Sequence, residues 1–186
     1  MRLFNNQNLI SGKNTMKHFF PLSLSFLGLL LAFANCQRAT ATGDEEHFTP
    51  LFNGRNLEGW IGATDQYSVK DGMIVLPKGK AGKLLTKEEY GNFILRFEFR
   101  LTPNANNGLA IRAPISGDAA YNGMELQILD GTSGKYTNLK PYQTHGSIYG
   151  VAPAKRGFLK PLGEWNAQQV ECRGRNIRVT LNGHVI

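Results

Sequence analysis

Alternation of apolar and polar residues with a period of two is the feature that most restricts the fold of this 186-residue chain. Phe or Leu stands at every odd position of 93–101, and Arg or Glu stands at three of the four even positions. Successive side chains of a β-strand point to opposite faces, so this segment predicts a strand with one buried face. Beyond the amino-terminal segment no long stretch has the 3.6-residue period of a helix, and 87–90 predicts one helical turn at most.

Other segments repeat this pattern. Alternation over 169–173 and 177–181, with Gly174, Arg175 and Asn176 between them, predicts a hairpin, and Asn182-Gly183 is a strong signal for a two-residue turn. Shorter strands are predicted between loops rich in Pro, Gly and Asn, at 67–70, 73–76, 109–112, 124–129 and 147–149. Many short strands separated by turns predict an all-β protein, an antiparallel β-sandwich or jelly roll.

The carboxyl end of the sequence bears on this fold. The chain stops at Ile186, two or three residues into the strand that Asn182-Gly183 would start. A sandwich cut there would leave an exposed strand edge. We therefore expect 48–186 to be a partial β-sandwich domain, incomplete at its carboxyl end.

Composition excludes several classes of function. Two cysteines exclude a disulfide-rich scaffold and a four-cysteine zinc site. The net charge of +7 has two parts, because residues 1–36 contribute +3 through three basic residues and no acid, and the rest contributes +4 with its charges interspersed. No basic cluster with interleaved aromatic residues occurs, so we predict no nucleic-acid partner.

The amino-terminal segment predicts export. Basic residues at 17–18 precede an uncharged run rich in Leu and Phe at 19–34, a pattern typical of a secretory signal peptide over 16–36. The polar residues 1–15 fit that pattern poorly, so we interpret them as a non-native extension before a start at Met16. A membrane-spanning anchor is the alternative, but the apolar run is shorter than the ~20 residues that a spanning helix needs.

Two kinds of processing fit this signal. Ala32-Phe33-Ala34 is a site for ordinary cleavage, whereas Cys36 at the end of the apolar run indicates a lipoprotein whose cysteine is acylated. The sequence favours the lipoprotein slightly, although Asn35 stands where a small residue is usual. Residues 37–47 would then be a polar tether. Such a protein is expected in the periplasm or on the outer membrane of a Gram-negative bacterium, touching membrane only through its lipid.

The segment 122–130 carries the polar residues of greatest interest. Alternation predicts that Met124, Leu126 and Ile128 enter the core, whereas Glu125 and Gln127 lie side by side on the other sheet face. A carboxylate and an amide beside aromatic residues suit a sugar, because planar groups pair with its hydroxyls and rings stack on its C–H faces. A solvated outer face is the alternative. Asp130 falls on the core side unless a bulge returns it to the polar face.

Two other side chains are candidates for chemistry. Arg112 follows an apolar strand at the start of a loop, where its guanidinium could reach a carbonyl or an oxyanion, or form an ion pair with Glu125. His145 lies in a dense polar segment and is the natural candidate for a group that titrates near neutrality, although a lone histidine is more often structural. His47 and His184 complete no convincing metal set.

Five ordered blocks of the sequence resemble the 3-keto-disaccharide hydrolase family. The resemblance covers 48–186 and rests on FTPLFNGRNLEGW at 48–60, YGNF at 90–93, Asn107-Gly108 leading to Arg112, ELQILD at 125–130, and GEWN at 163–166 before the Asn182-Gly183 turn. The family's domain normally continues through further strands. The resemblance implies a concanavalin-like β-sandwich, export, and cleavage of glycosides whose sugar is oxidised to a ketone at carbon 3.

The implied chemistry assigns roles to the candidate residues. A ketone at carbon 3 acidifies the hydrogen on carbon 2, so that elimination can expel the leaving group from carbon 1 and water can then add. Such an enzyme needs a base, a stabiliser for the enolate oxygen and an acid. We assign Glu125 or His145 as the base and Arg112 as the stabiliser, which a divalent metal of unidentified ligands could replace. The residues predicted to bind substrate are Gln127, Asp130, Asn107 and Tyr149.

Two other functions compete with this one. A binding module of the same fold would hold carbohydrate without turnover. A retaining β-glucanase on a similar sandwich carries two Glu around an Asp, and Glu125-x-Gln127-x-x-Asp130 resembles a degraded copy of that motif. Gln127 lacks the central charge and Asp130 is one methylene short, so we rank the glucanase last.

Overall fold

The computed structural model describes residues 48–186 and the backbone of a short strand at 2–6. The signal peptide predicted at 16–36, its Cys36 and the tether predicted at 37–47 lie outside the described residues. The same is true of most of the predicted extension 1–15. No helix within the described residues is long and apolar enough to cross a membrane.

The secondary structure of the described residues is almost entirely strand. In chain order the strands are β1 (Arg2–Asn6), β2 (Thr49–Pro50), β3 (Trp60–Gly62), β4 (Ser68–Lys70), β5 (Met73–Val75), β6 (Leu84–Thr86), β7 (Phe93–Arg100), β8 (Asn106–Ile111), β9 (Met124–Leu129), β10 (Trp165–Arg173), β11 (Asn176–Leu181) and β12 (His184–Val185). One four-residue helix, α1, spans Ala119–Asn122, and 3₁₀ turns span Thr64–Gln66, Gly134–Tyr136 and Pro141–Gln143.

Six strands form one antiparallel layer in the order β12-β11-β10-β7-β1-β2. β7 pairs with β10 over its whole length, from Phe93 opposite Cys172 to Arg100 opposite Trp165. The alternation predicted for 93–101 is present, because Leu95, Phe97 and Phe99 are buried in the hydrophobic core. Two small antiparallel pairs, β3 with β6 and β4 with β5, form separate two-stranded sheets.

The second layer consists of β8, β9 and the segment 146–149. β8 and β9 pair from Asn106 opposite Leu129 to Ile111 opposite Met124, without a bulge. The segment 146–149 lies along the other edge of β9, where the amide of Tyr149 donates to the Glu125 carbonyl and the amide of Gln127 donates to the Ser147 carbonyl, at 2.8 and 2.9 Å. Three short segments therefore form the layer that carries the polar residues.

The core lies between the two layers. Leu126 and Ile128 of β9 and Ile111 of β8 pack in one cluster with the buried residues of β7, β10 and β11, and Met124 packs against it. Burial of these side chains is the main source of stability, since removal of apolar surface from water contributes about 25 cal/mol per Å². The predicted antiparallel β-sandwich is confirmed.

The structure differs from the sequence prediction in small ways. The one α-helical turn among the described residues lies at α1, where the Asp118 carboxylate caps it by accepting from the amides of Ala120 and Tyr121. Residues 87–90 are not helical. Residues 147–149 make bridges and hydrogen bonds rather than a full strand. The Asn182-Gly183 turn forms as predicted, with φ of 49° and 86°.

Candidate functional site

An open cleft of about 400 Å³ lies on the face of β8 and β9 that points away from the core. Pockets that hold small ligands commonly have volumes of this size. The β9 residues on its floor occupy alternate positions, because every second side chain of a strand faces the same way. The lining residues are Asn106, Asp118, Ala120, Tyr121, Glu125, Gln127, Leu129, Tyr136, Leu139 and Tyr149.

Glu125 and Gln127 both line this cleft, on the face opposite Leu126 and Ile128, as the alternation predicted. Gln127 is only 4% exposed, and its Oε1 accepts a hydrogen bond from the Ile128 amide at 3.1 Å. Glu125 is half-buried. The two side chains therefore differ in conformational freedom. The Gln127 amide is fixed on the floor of the cleft, whereas the Glu125 carboxylate is partly exposed to the cleft.

Gly108 makes room for the Glu125 carboxylate. A Cβ at position 108 would overlap the side chain of Glu125 at its Oε1, Cγ and Cδ atoms. The Glu125 side chain thus lies directly over the backbone of β8. The Asn107-Gly108 pair of the family resemblance therefore contributes to the site through Gly108, whose lack of a side chain leaves space for the Glu125 carboxylate.

Electrostatics distinguish Glu125 from an ordinary surface carboxylate. Burial raises the pKa of Glu125, and the negative charge of Asp118 raises that pKa further. Both effects disfavour the ionised form, the first because the charge loses water and the second because like charges repel. A carboxyl group with a raised pKa is closer to proton exchange at neutral pH, which suits an acid or base.

Tyr149 lies across from Glu125 on the neighbouring segment. The backbone bond from Tyr149 to Glu125 fixes this pairing, and Leu126 bridges to Ile148 beside it. The Tyr149 hydroxyl accepts a hydrogen bond from Gln143 Nε2 at 3.0 Å. Because the hydroxyl accepts this bond, its own hydrogen remains available for donation to a ligand.

The loop 112–123 forms one wall of the cleft. Asp118, Ala120 and Tyr121 line the cleft from this loop and α1. The Asp118 amide donates to Asn122 Oδ1 at 2.9 Å, so the loop closes on itself around α1. Tyr121 is 81% exposed, an unusually open position for a tyrosine ring.

Asp130 is not brought to the cleft. It is 2% exposed, and its Oδ1 accepts from the amide and the hydroxyl of Thr132 at 2.9 and 2.6 Å, while its Oδ2 accepts from the Asn104 amide at 2.9 Å. Burial alone would raise the pKa of Asp130, but these hydrogen bonds and one from Ser133 outweigh it and lower the pKa. Without a bulge in β9 the carboxylate instead ties together the loops that follow β7 and β9.

His145 is also outside the cleft. Its ring stacks on Phe99 of the core at a centroid distance of 5.2 Å, and its Nδ1 accepts from the Leu129 amide at 3.4 Å. Burial lowers the pKa of His145 to about 4, with Gln168 acting in the opposite direction. Among the described residues no hydrogen bond of good geometry reaches His145 Nε2 or the Gln168 amide. The imidazole is therefore a neutral, interior group.

Arg112 points to a different part of the molecule. Its backbone is left-handed, with φ of 52°, which ends the alternation of β8. The guanidinium Nη2 donates to the carbonyl of Gly174, in the turn between β10 and β11. Arg112 consequently contacts the six-stranded layer, and it does not line the cleft.

Asn107 faces away from the cleft as well. It lies opposite Ile128 in the register of β8 and β9, on the face that does not carry Glu125. Its side chain accepts from the Gly108 amide at 2.8 Å and hydrogen-bonds Tyr67. Its neighbour Asn106 lines the cleft instead. The same alternation that places Glu125 could have identified Asn106.

Sequence reasoning missed the residues that reach the cleft from loops. Asp118 followed by two alanines is a signal for a helix amino terminus, and it could have located α1. Tyr121, Tyr136 and Leu139 carry no such signal, because the path of a long loop across a sheet face is not encoded in a local pattern.

A metal centre is not evident in the part of the chain that the structure describes. No three His, Cys, Asp or Glu side chains there lie close enough together to hold an ion. The cleft contains two carboxylates, Asp118 and Glu125, with amides and tyrosines around them. A divalent cation on the substrate oxygens stays a prediction.

Fold and site together define a β-sandwich protein with an open, tyrosine-walled cleft on one sheet face. Residues 47–186 match the model of a family described as a 3-keto-alpha-glucoside-1,2-lyase-like domain. The chain belongs to this family, as the five sequence blocks predicted.

Individual relatives agree with this assignment. The chain is 25% identical over 157 residues to the 3-keto-disaccharide hydrolase of Bacteroides thetaiotaomicron, covering 68% of this chain and 53% of that protein. The chain thus spans about half the length of the curated relative that it matches.

Solved structures show the same architecture. A crystal structure of a "putative glycosyl hydrolase" from Parabacteroides distasonis superposes with a TM-score of 0.65 at 35% identity, over 74% of this chain and 69% of that one. A second protein of the same description and organism gives a TM-score of 0.62 at 24% identity over the same shares, and supports the fold alone.

Proposed function

We propose that this protein is an exported hydrolase of 3-keto-glycosides, including 3-keto-disaccharides, and that it cleaves the bond to the leaving group by elimination followed by hydration. The observation that carries the proposal is Glu125, a carboxyl group with a raised pKa that lies over Gly108 in a cleft walled by tyrosines. Family membership supplies the substrate class, since the curated relative is a 3-keto-disaccharide hydrolase.

Glu125 is the base in this mechanism. It takes the proton from carbon 2 of the sugar, and the electrons of the C–H bond pass to the ketone oxygen at carbon 3. The enolate then re-forms the ketone and expels the leaving-group oxygen from carbon 1, and this oxygen takes up the proton that Glu125 holds. A water molecule adds to the resulting double bond between carbons 1 and 2, so the net reaction is hydrolysis. The raised pKa suits this work, because a stronger base removes a carbon-bound hydrogen more readily.

The enolate oxygen needs a hydrogen-bond donor in the cleft. Arg112 was assigned this role from sequence, but its guanidinium lies at the Gly174 carbonyl instead. Tyr149 replaces it in our proposal, because its hydroxyl accepts from Gln143 and its own hydrogen is free to be donated. Gln127 orients the sugar from the floor of the cleft. His145 is not assigned as a base, because it is buried against Phe99.

Export by a lipoprotein signal is the second part of the proposal. The sequence ends its apolar run at Cys36, and acylation there would anchor the protein to a membrane through lipid alone. Labelling of expressing cells with radioactive palmitate tests this. Label in the wild type and its loss in Cys36→Ser support the lipoprotein, whereas an unlabelled wild-type protein contradicts it.

The activity is tested with matched substrates. The domain is incubated with a 3-keto-disaccharide and with the same disaccharide unmodified, and the products are analysed by mass. We expect release of monosaccharide from the 3-keto substrate alone. Glu125→Gln keeps the shape of the side chain but removes the base, so turnover should fall at least about 100-fold. Full turnover by this variant would contradict the assignment.

A binding module without turnover is the alternative function. The position of Arg112 and His145 away from the cleft favours it, because two of the three predicted catalytic groups do not reach a bound sugar. This alternative predicts saturable binding of the 3-keto-disaccharide, no new products, and binding that survives Glu125→Gln. The β-glucanase is not supported, since the carboxylate of Asp130 is enclosed by its own loops and forms no pair with Glu125 in the cleft.

A further inference from the structure

The position of Tyr121 at the mouth of the cleft has no explanation in the stability of the fold. The ring lines the cleft and yet is 81% exposed, so it contributes little to the core. Tyr136 and Tyr149 line the same cleft but are half-buried, and each hydroxyl has a partner within the protein. Among the three tyrosines of the cleft, Tyr121 is therefore the one with most of its surface available to a ligand.

The loop that carries Tyr121 is braced from outside the cleft. Lys83, next to β6, donates from its Nζ to the carbonyls of Gly117 at 2.7 Å, Ile115 at 2.8 Å and Pro114 at 3.4 Å. An ammonium group has three hydrogens, and all three are used on this one loop. The Asp118 cap then fixes α1 relative to the braced segment.

The three hydrogen bonds from Lys83 to this loop matter for ligand binding. A loop backbone that is already held in place loses less freedom when a ligand binds to a side chain that it carries, so more of the contact energy appears as affinity. Tyrosine suits such a position, because its ring is large and has only two side-chain torsions to fix. A sugar ring stacked on Tyr121 would therefore meet a preorganised surface.

The position of Glu125 in the cleft indicates which part of the substrate meets this ring. The sugar that loses its hydrogen must lie over Glu125, within hydrogen-bond reach of the carboxylate. A leaving group that extends from there towards solvent meets Tyr121, the most exposed of the three tyrosines that line the cleft. We infer that Tyr121 is a specificity-determining residue that stacks on the leaving group of the substrate, and that Lys83 is its positioning residue. This inference rests on the proposed function.

The experiment compares two substrates that share the 3-keto sugar and differ in leaving group. One is a 3-keto-disaccharide and the other is the methyl 3-keto-glucoside, whose leaving group is too small to stack. Tyr121→Ala should lower kcat/KM for the disaccharide about three- to tenfold, mainly through KM, and change the methyl glucoside less than about twofold. Tyr121→Phe should retain the wild-type ratio. Equal losses for both substrates, or no loss, would overturn the inference.

Control variants separate the cleft from the loop. Ile115 is 68% exposed on the same loop but does not line the cleft, so Ile115→Ala should leave both substrates unchanged. Lys83→Met should reproduce the selective loss of Tyr121→Ala, and Lys83→Arg should restore part of it. Lys80→Met, at an exposed lysine three residues away, should have no effect. An unchanged ratio in Lys83→Met would contradict the positioning role.

Failure of the proposed function is recognised separately. If the wild type turns over neither 3-keto substrate, the catalytic proposal fails, and binding of the same two compounds is measured by calorimetry. Selective weakening of disaccharide binding in Tyr121→Ala would then support the contact. Equal binding by variant and wild type, or no binding of either compound by the wild type, would overturn it.

Discussion

At the scale of single residues, the site depends on how Glu125 is placed. Its carboxylate lies over Gly108, is half-buried, and shares the cleft with the negative charge of Asp118. The other titratable groups that line the cleft are Tyr121, Tyr136 and Tyr149, and none of them is a carboxylate. Asp118 is therefore the group through which the acidity of Glu125, the proposed base, can be changed without substituting Glu125.

Asp118→Asn should shift the pH dependence of turnover. Asn also caps helices, so α1 is retained, while the charge that raises the pKa of Glu125 is removed. A base works in its ionised form, so activity falls as the pH drops through the pKa of Glu125. We expect this acidic limb of kcat/KM to move to lower pH in the variant, as measured over pH 4–8.

The matched control for this variant is Asp71→Asn, in the exposed turn between β4 and β5, where the limb should stay in place. If the acidic limb of the kcat/KM profile stays in place in Asp118→Asn as well, Glu125 is not the titrating base.

At the scale of elements, the alternation of apolar and polar residues predicts which sheet face each side chain of a strand occupies. It gives no such information for residues beyond the strand ends. β9 has the bounds that the sequence predicted, and β7 differs from its prediction by one residue. Inside β9 the faces of Glu125 and Gln127 follow directly from the register. Beyond the strand ends the alternation did not predict where Arg112 and His145 lie, because left-handed backbone at Arg112 and Gly146, with φ of 52° and 80°, redirects the chain.

Gly108→Ala tests the packing between β8 and β9. The added methyl group would overlap Glu125, so the carboxylate must move from its position over β8. We expect kcat to fall about 10- to 100-fold, because a misplacement of about 1 Å is costly for a reacting group. Steady-state kinetics on the 3-keto-disaccharide measures this.

Gly91→Ala is the control for that substitution. A Cβ at Gly91 meets nothing within 4 Å, and no left-handed backbone strains the new residue. Its kinetics should match those of the wild type. Wild-type kcat in Gly108→Ala would mean that the position of Glu125 over the glycine is not needed for turnover.

At the scale of the whole molecule, the two layers divide the polar residues between interior and cleft. His145 and Gln168 lie buried between the layers, whereas Glu125 and Tyr149 lie on the outer face of one of them. The interior histidine should affect the pH dependence of stability, and the cleft should affect the pH dependence of activity.

The decrease in the free energy of unfolding at acidic pH should depend on His145. Its pKa is lowered to about 4 in the folded protein, against about 6.5 for an unfolded chain. Between these values the unfolded chain binds the extra proton, so the free energy of unfolding falls as the pH drops from about 6.5 to about 4. The loss from this group is at most about 3 kcal/mol.

Denaturant titrations at several pH values measure this loss. His145→Gln cannot gain a proton, so its stability should vary less across that window than that of the wild type. His184→Gln, at an imidazole that stacks on Phe158, is the matched control for the substitution itself. Identical pH dependence in His145→Gln and the wild type would contradict a neutral, buried imidazole.

The alternation along β9 has a practical consequence for protein engineering. Leu126 and Ile128 pack in the interior, and Glu125 and Gln127, which alternate with them, line the cleft. Neighbouring residues of β9 therefore affect the stability of the fold and the chemistry of the cleft separately. A library that varies the outward positions could alter substrate preference without loosening the interior, whereas inserting one codon in this strand would exchange the two sets and abolish both properties.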